Sequence, residues 1–166
     1  MTSHLSETSK ASRLKHKFGS DSQLTKVFEN FDQATQTFFL AQVKLESGEL
    51  PILGFYSEPS RWFFATTRRI VWSIPTEDIH ELRHQEIEEM GWSSGPPGLA
   101  SREKSSRPDY LIYTDEGEKR CKTASPWLYV LDSSGERHEV FLEPGSPLCA
   151  VWNSIKLLSA GWNRPD

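Results

Sequence analysis

His80-Glu81-Leu82-Arg83-His84 spells H-E-x-x-H. On an α-helix, residues four apart share a face. Both imidazoles would then reach one Zn²⁺, and Glu81 would activate its bound water. Such a centre needs a third ligand, and Glu103 follows His84 by nineteen positions, a spacing seen in zinc aminopeptidases. Several features oppose this zinc-hydrolase reading. Asp78, Arg83 and Glu86 place charge where a buried zinc helix carries none. Glu103 falls in a Ser/Arg/Lys-rich run without the Glu-bearing signature of a second ligand helix. The competing reading is two histidines on a charged helix flank or strand, with no metal.

Two further patterns resemble chemistry. Gly91-Trp92-Ser93-Ser94-Gly95 matches G-x-S-x-G, but a nucleophile elbow needs a buried strand before it and a helix after it. A polar segment precedes this run and Pro96-Pro97-Gly98 follows, so it reads as a turn. Arg68-Arg69, with Arg61 nearby, could bind phosphate or carboxylate. Neighbouring strand residues face opposite sides, so one of the pair should point inward into a salt bridge.

The elements that would position these residues follow from hydrophobic period and turn chemistry. Trp62 to Trp72 lacks Gly and Pro and is rich in aromatic and β-branched residues, which predicts one buried strand with a basic kink. Ser20 or Asp21 would cap a helix to about residue 36, with Leu24, Val27, Phe28, Phe31 and Ala34 on its apolar face. From Phe38, the alternation Phe39, Ala41, Val43, Leu45 suggests a strand, and Leu50 to Tyr56 a second. Thr76–Met90 is ambiguous: it has helix-capping residues at both ends, yet strand remains an alternative. Residues 91–108 read as a surface loop. Tyr110–Thr114 reads as a strand, and Trp127–Leu131 and His138–Leu142 as a hairpin across Asp132-Ser133-Ser134-Gly135. The last segment is a helix with Ser146 as cap, Pro147 in the first helical position, and Gly161 just past its end. Its stripe of Leu148, Val151, Trp152, Ile155 and Leu158 should dock on a sheet.

The chain has 166 residues and a net charge of −4, with 25% charged and 36% hydrophobic residues, which suits a single domain that folds without metal or disulfide scaffold. The acidic balance disfavours nucleic acid as partner. Cys121 and Cys149 form no C-x-x-C pair, no run is apolar enough to span a membrane, and the N-terminus lacks a secretion signal's apolar core, so the expected location is cytoplasmic. Residues 1–20 are polar, with Lys10, Arg13, Lys15 and Lys17, and are expected to be a disordered basic arm, with residues 21–161 forming one α+β domain.

The order of segments resembles bacterial pleckstrin-homology-like (PH/GRAM-like) domains over about residues 45–160. The matching pieces are Glu49–Tyr56, the Thr66-Thr67-Arg68-Arg69-Ile70-Val71-Trp72 signature, the Ile74-Pro75-Thr76-Glu77-Asp78-Ile79 step, Trp127–Leu142 and Ser146–Leu158. That resemblance implies a curved, mostly antiparallel sheet or partly open barrel. A C-terminal amphipathic helix would cap it, and the N-terminal helix would be an addition. It also implies a non-enzymatic module binding a protein, peptide or anionic lipid headgroup. A regulatory or toxin-neutralising partner protein is one form of such a module. Arg68 or Arg69 would contact the ligand.

Overall fold

The computed structural model describes residues 6–75, 78–93, 95, 111–114, 117–120 and 126–159. The fold is α+β. Two helices come early, α1 (Glu7–Phe18) and α2 (Gln33–Gln42), with the short strand β1 (Thr25–Val27) between them. Four strands follow, β2 (Pro51–Glu58), β3 (Arg61–Thr66), β4 (Arg69–Ser73) and β5 (His80–Arg83). A 3-10 turn at His84–Glu86 leads into β6 (Ile87–Ser93). Among the described residues, strands β7 (Leu111–Thr114) and β8 (Gly117–Arg120) pair only with each other. Then come β9 (Trp127–Asp132), β10 (Arg137–Phe141) and α3 (Ser146–Lys156).

Among the described residues all pairings are antiparallel, and the two larger sheets have the orders β1-β2-β3-β4-β5 and β10-β9-β6. Among the described residues no strand of one larger sheet pairs with a strand of the other, and the sheets share one core without closing into a barrel. The continuous apolar run in β3 follows from this layering. Trp62 and Phe64, with Val71, face outward against Phe28, Phe31, Phe39 and Val43 of the α2 region. Phe63 and Ala65, with Ile70 and Trp72, face the core shared with Leu128, Val130 and Val140. A strand covered on both faces needs no polar alternation.

Four expectations are corrected here. Residues 7–18 are helical rather than a disordered arm. Ser6 accepts the Ser9 N–H at the helix start, and Ala11, Leu14 and Phe18 are buried on one stripe packed against α3 and β2. The basic side chains of α1 lie on its other faces, so charge there does not oppose folding. The helix expected over 21–36 is instead β1, a 3-10 turn at Phe28–Asn30 and the start of α2. Asp21 holds the Val27 N–H and the Asn30 amide. The strand expected from Phe38 is the second half of α2, capped by Asp32, because Thr35, Phe39 and Val43 form a buried i, i+4, i+8 stripe. The single strand expected over 62–72 is a hairpin that turns at Thr67-Arg68. The hairpin at 127–142 and the terminal helix stand where the turn and apolar signals put them. Gly145 rather than Ser146 is the N-cap, and Gly161 lies outside the described residues.

Gly54 lets α2 sit close to the sheet, where Phe39 stacks on Phe64 at 4.6 Å. A methyl group there would meet Phe39 Cζ at 2.8 Å and the Phe63 carbonyl at 3.0 Å. Gly54→Ala should therefore cost about 1–3 kcal/mol, read as a lower urea midpoint at unchanged slope.

Candidate functional site

The H-E-x-x-H residues lie on β5 and the turn after it, not on a helix. Alternation puts His80, Leu82 and His84 toward the inter-sheet core and Glu81 and Arg83 away from it. At strand rise, His80 and His84 are roughly 13 Å apart along the chain, against about 6 Å on a helix, so the spacing no longer brings two imidazoles to one ion. Glu103 lies outside the described residues.

Each motif residue is engaged separately. His84 is 2% exposed and its Nε2 lies 2.8 Å from the Thr66 carbonyl oxygen. That oxygen only accepts, so Nε2 carries the proton, and among the described residues the buried Nδ1 has no hydrogen-bond partner. Burial is the main cause that pushes the His84 pKa down to about 4, and the charge of Lys10 adds to it. Glu81 accepts from Arg69 Nη1 at 2.7 Å. His80 stacks on Trp72, with ring centres 5.3 Å apart.

Arg68 and Arg69 sit where the β3–β4 hairpin meets the loop before β2. Arg69 is buried. Its Nε donates to Glu49 Oε1 at 2.9 Å and its Nη2 to Glu49 Oε2 at 3.0 Å, a bidentate fork. The same Nη2 donates to the Lys44 carbonyl at 2.7 Å. Glu49 is itself 4% exposed and also accepts from Thr66 Oγ1 and the Glu46 N–H group. Burial alone would raise its carboxyl pKa, but Arg69, Thr66 and the Glu46 amide outweigh that and hold it below the ordinary carboxylate range. Arg69 thus serves as the counter-ion of a buried carboxylate. Arg68 is the more open of the two. It donates to Glu46 at 2.9 Å and the Ser47 carbonyl at 2.9 Å, and its side chain keeps 29% exposure.

In the G-x-S-x-G segment, Ser93 ends β6. Its hydroxyl oxygen accepts from Arg137 Nη2 at 3.1 Å and from the Gly95 N–H at 3.0 Å. Gly91–Ser93 are the end of β6, and the residues beyond Gly95 that an elbow's helix would need lie outside the described residues.

A second polar cluster was not legible in the local sequence. His138 on β10 faces Trp72 and His80, with ring centres 5.9 and 6.4 Å away. His138 Nε2 lies 2.8 Å from Asp132 Oδ2. Asp132 is held well below the usual carboxylate pKa by His138 first, then by the Ser134 hydroxyl and the hairpin amides. Only the hairpin signature at 132–135 pointed toward this cluster, and it says nothing of a partner fifty-eight positions earlier.

No family model matches the chain, and neither a curated protein nor a solved structure matches it.

Proposed function

We infer that this chain is a non-catalytic interaction module on a PH-like core, with another protein as its principal partner. The observation carrying this reading is that the reactive-looking side chains are spent on the fold. His84 closes on the Thr66 carbonyl, Glu81 on Arg69, and Arg69 on Glu49. Two antiparallel sheets and a C-terminal helix support this reading. Contact would use the outer side of β5, which among the described residues ends the five-stranded sheet, the place where an incoming segment can add to a sheet. Ile79, at 49% exposure, lies just before that edge, and Arg68 and Arg83 lie on the same side of the fold through Glu46. An anionic headgroup is the alternative occupant of the Arg68 region. Among the described residues no helix is long and apolar enough to cross a membrane.

Affinity capture from the native host, with wild type beside Ile79→Asp and Arg68→Ala, tests this. A stoichiometric protein partner lost in Ile79→Asp is the expected result. Sedimentation with anionic vesicles, salt-sensitive and lost only in Arg68→Ala, would move the reading to a headgroup. Peptide hydrolysis abolished by a chelator and by Glu81→Gln would overturn it.

A further inference from the structure

We propose that His80, His138, Asp132 and Glu136 form a binding site for a divalent transition-metal cation, which ties the edge of one sheet to the β9–β10 hairpin of the other. Asp132, Glu136 and His138 each offer a ligand atom within 4.8 Å of the other two. His80 joins them from a different sheet, its ring centre 6.4 Å from that of His138. The first histidine of the H-E-x-x-H motif thus finds its second imidazole across the core rather than four residues on.

The geometry suits an imidazole-rich tetrahedral ion. Metal–nitrogen and metal–oxygen bonds are about 2.0–2.1 Å, so neighbouring donor atoms stand roughly 3.3 Å apart. The His138–Asp132 contact, at 2.8 Å with a proton between, needs to open only slightly for an ion to replace that proton. Asp132 Oδ1 accepts from the Ser134 N–H at 2.9 Å, the Ser134 hydroxyl at 2.6 Å and the Glu136 N–H at 3.0 Å, which fixes the carboxylate and presents Oδ2 alone. Two imidazoles on a tetrahedral ion have centres about 5 Å apart. An ion held by both imidazoles would therefore have to draw the His80 ring closer to His138, along the Trp72 face on which it stacks. Two nitrogens with two carboxylates favour Zn²⁺, Ni²⁺ or Cu²⁺ over Ca²⁺ or Mg²⁺. Protons compete with the ion for the imidazole nitrogens, so affinity should be weaker in acid than at neutral pH.

The experiment is Zn²⁺ titration calorimetry on the untagged full chain at pH 7.5, paired with thermal melting. Wild type should bind one Zn²⁺ per chain in the micromolar range and melt at a higher temperature with Zn²⁺ present. His80→Gln and His138→Gln should each weaken binding about tenfold or more and remove the melting shift. His16→Gln, an exposed histidine on α1, should change neither. Circular dichroism shows whether each variant is folded. Glu136→Gln, at an exposed hairpin position, provides a substitution that leaves the core untouched and should weaken Zn²⁺ several-fold. The proposal fails if Zn²⁺ binds only in the millimolar range, or if binding survives His80→Gln and Glu136→Gln unchanged.

Discussion

Arg69→Met is expected to lower folding stability by about 3–5 kcal/mol, because it strands the Glu49 carboxylate in the interior without its counter-ion. Glu49 would retain the Thr66 hydroxyl and the Glu46 amide, which cannot neutralise a charge. The paired variant Arg69→Met/Glu49→Leu should recover much of the loss, since an apolar pair of similar volume avoids burying ions. Urea unfolding of the two single variants and the double closes the cycle. The pH dependence gives a second reading. In wild type the depressed Glu49 pKa contributes stability that is present above about 4.5 and lost as pH falls through its folded value. In Arg69→Met that support is gone and burial raises the Glu49 pKa, so the gap between variant and wild type should narrow in acid. A cost below about 1 kcal/mol at pH 7 would mean that water reaches this carboxylate and the interior placement is wrong.

The second large effect belongs to His84. Its folded pKa of about 4 lies below the ordinary 6.5, so the unfolded chain binds the proton more readily. The resulting stability is fully present above about 6.5 and is lost as pH falls toward 4, by roughly 3 kcal/mol in all. Burial sets the sign, because it disfavours the charged ring. Lys10 on α1 opposes protonation, while Glu7 on α1 and Glu49 offset part of that opposition. His84→Gln should remove most of this slope, because a glutamine amide can still donate to the Thr66 carbonyl but does not titrate in this range. Unfolding free energies at pH 7.5, 6, 5 and 4.5 distinguish the two proteins. Glu7 and Glu49, whose pKa values are both lowered, act only below about 4.5 and so leave this window to the histidine. An unchanged slope in the variant would show that His84 is charged or solvated in the fold.

Both predictions rest on residues whose role changed between sequence and structure. Arg69 read as half of an anion site, with a salt bridge for whichever arginine faced inward. Its partner, Glu49, lies twenty positions away in a turn that gave no sign of burial. His84 read as a ligand only if its segment were helical. Capping residues at both ends of 76–90 supported a helix, yet pairing with β4 drew His80–Arg83 into a sheet edge. The Thr66 carbonyl then took the imidazole.

Local chemistry alone determined several elements: the Leu50–Tyr56 strand, the hairpin across Asp132-Ser133-Ser134-Gly135, and the apolar stripe of the last helix. In each, the turn or cap residues and the hydrophobic period agree, so one local conformation is far better than its rivals. Tertiary packing decided the rest. Phe39, Ala41, Val43 and Leu45 fit a strand as well as Thr35, Phe39 and Val43 fit a helix. The groove beside Gly54 and Phe64 selects the second. Likewise, Ala11, Leu14 and Phe18 sit among lysines and serines, and their helix is worth forming only where α3 and β2 bury those three side chains. A short polar helix is marginal by itself, because its nucleation cost exceeds its few hydrogen bonds. The apolar surface that tips the balance belongs to strands and a helix encoded elsewhere in the chain.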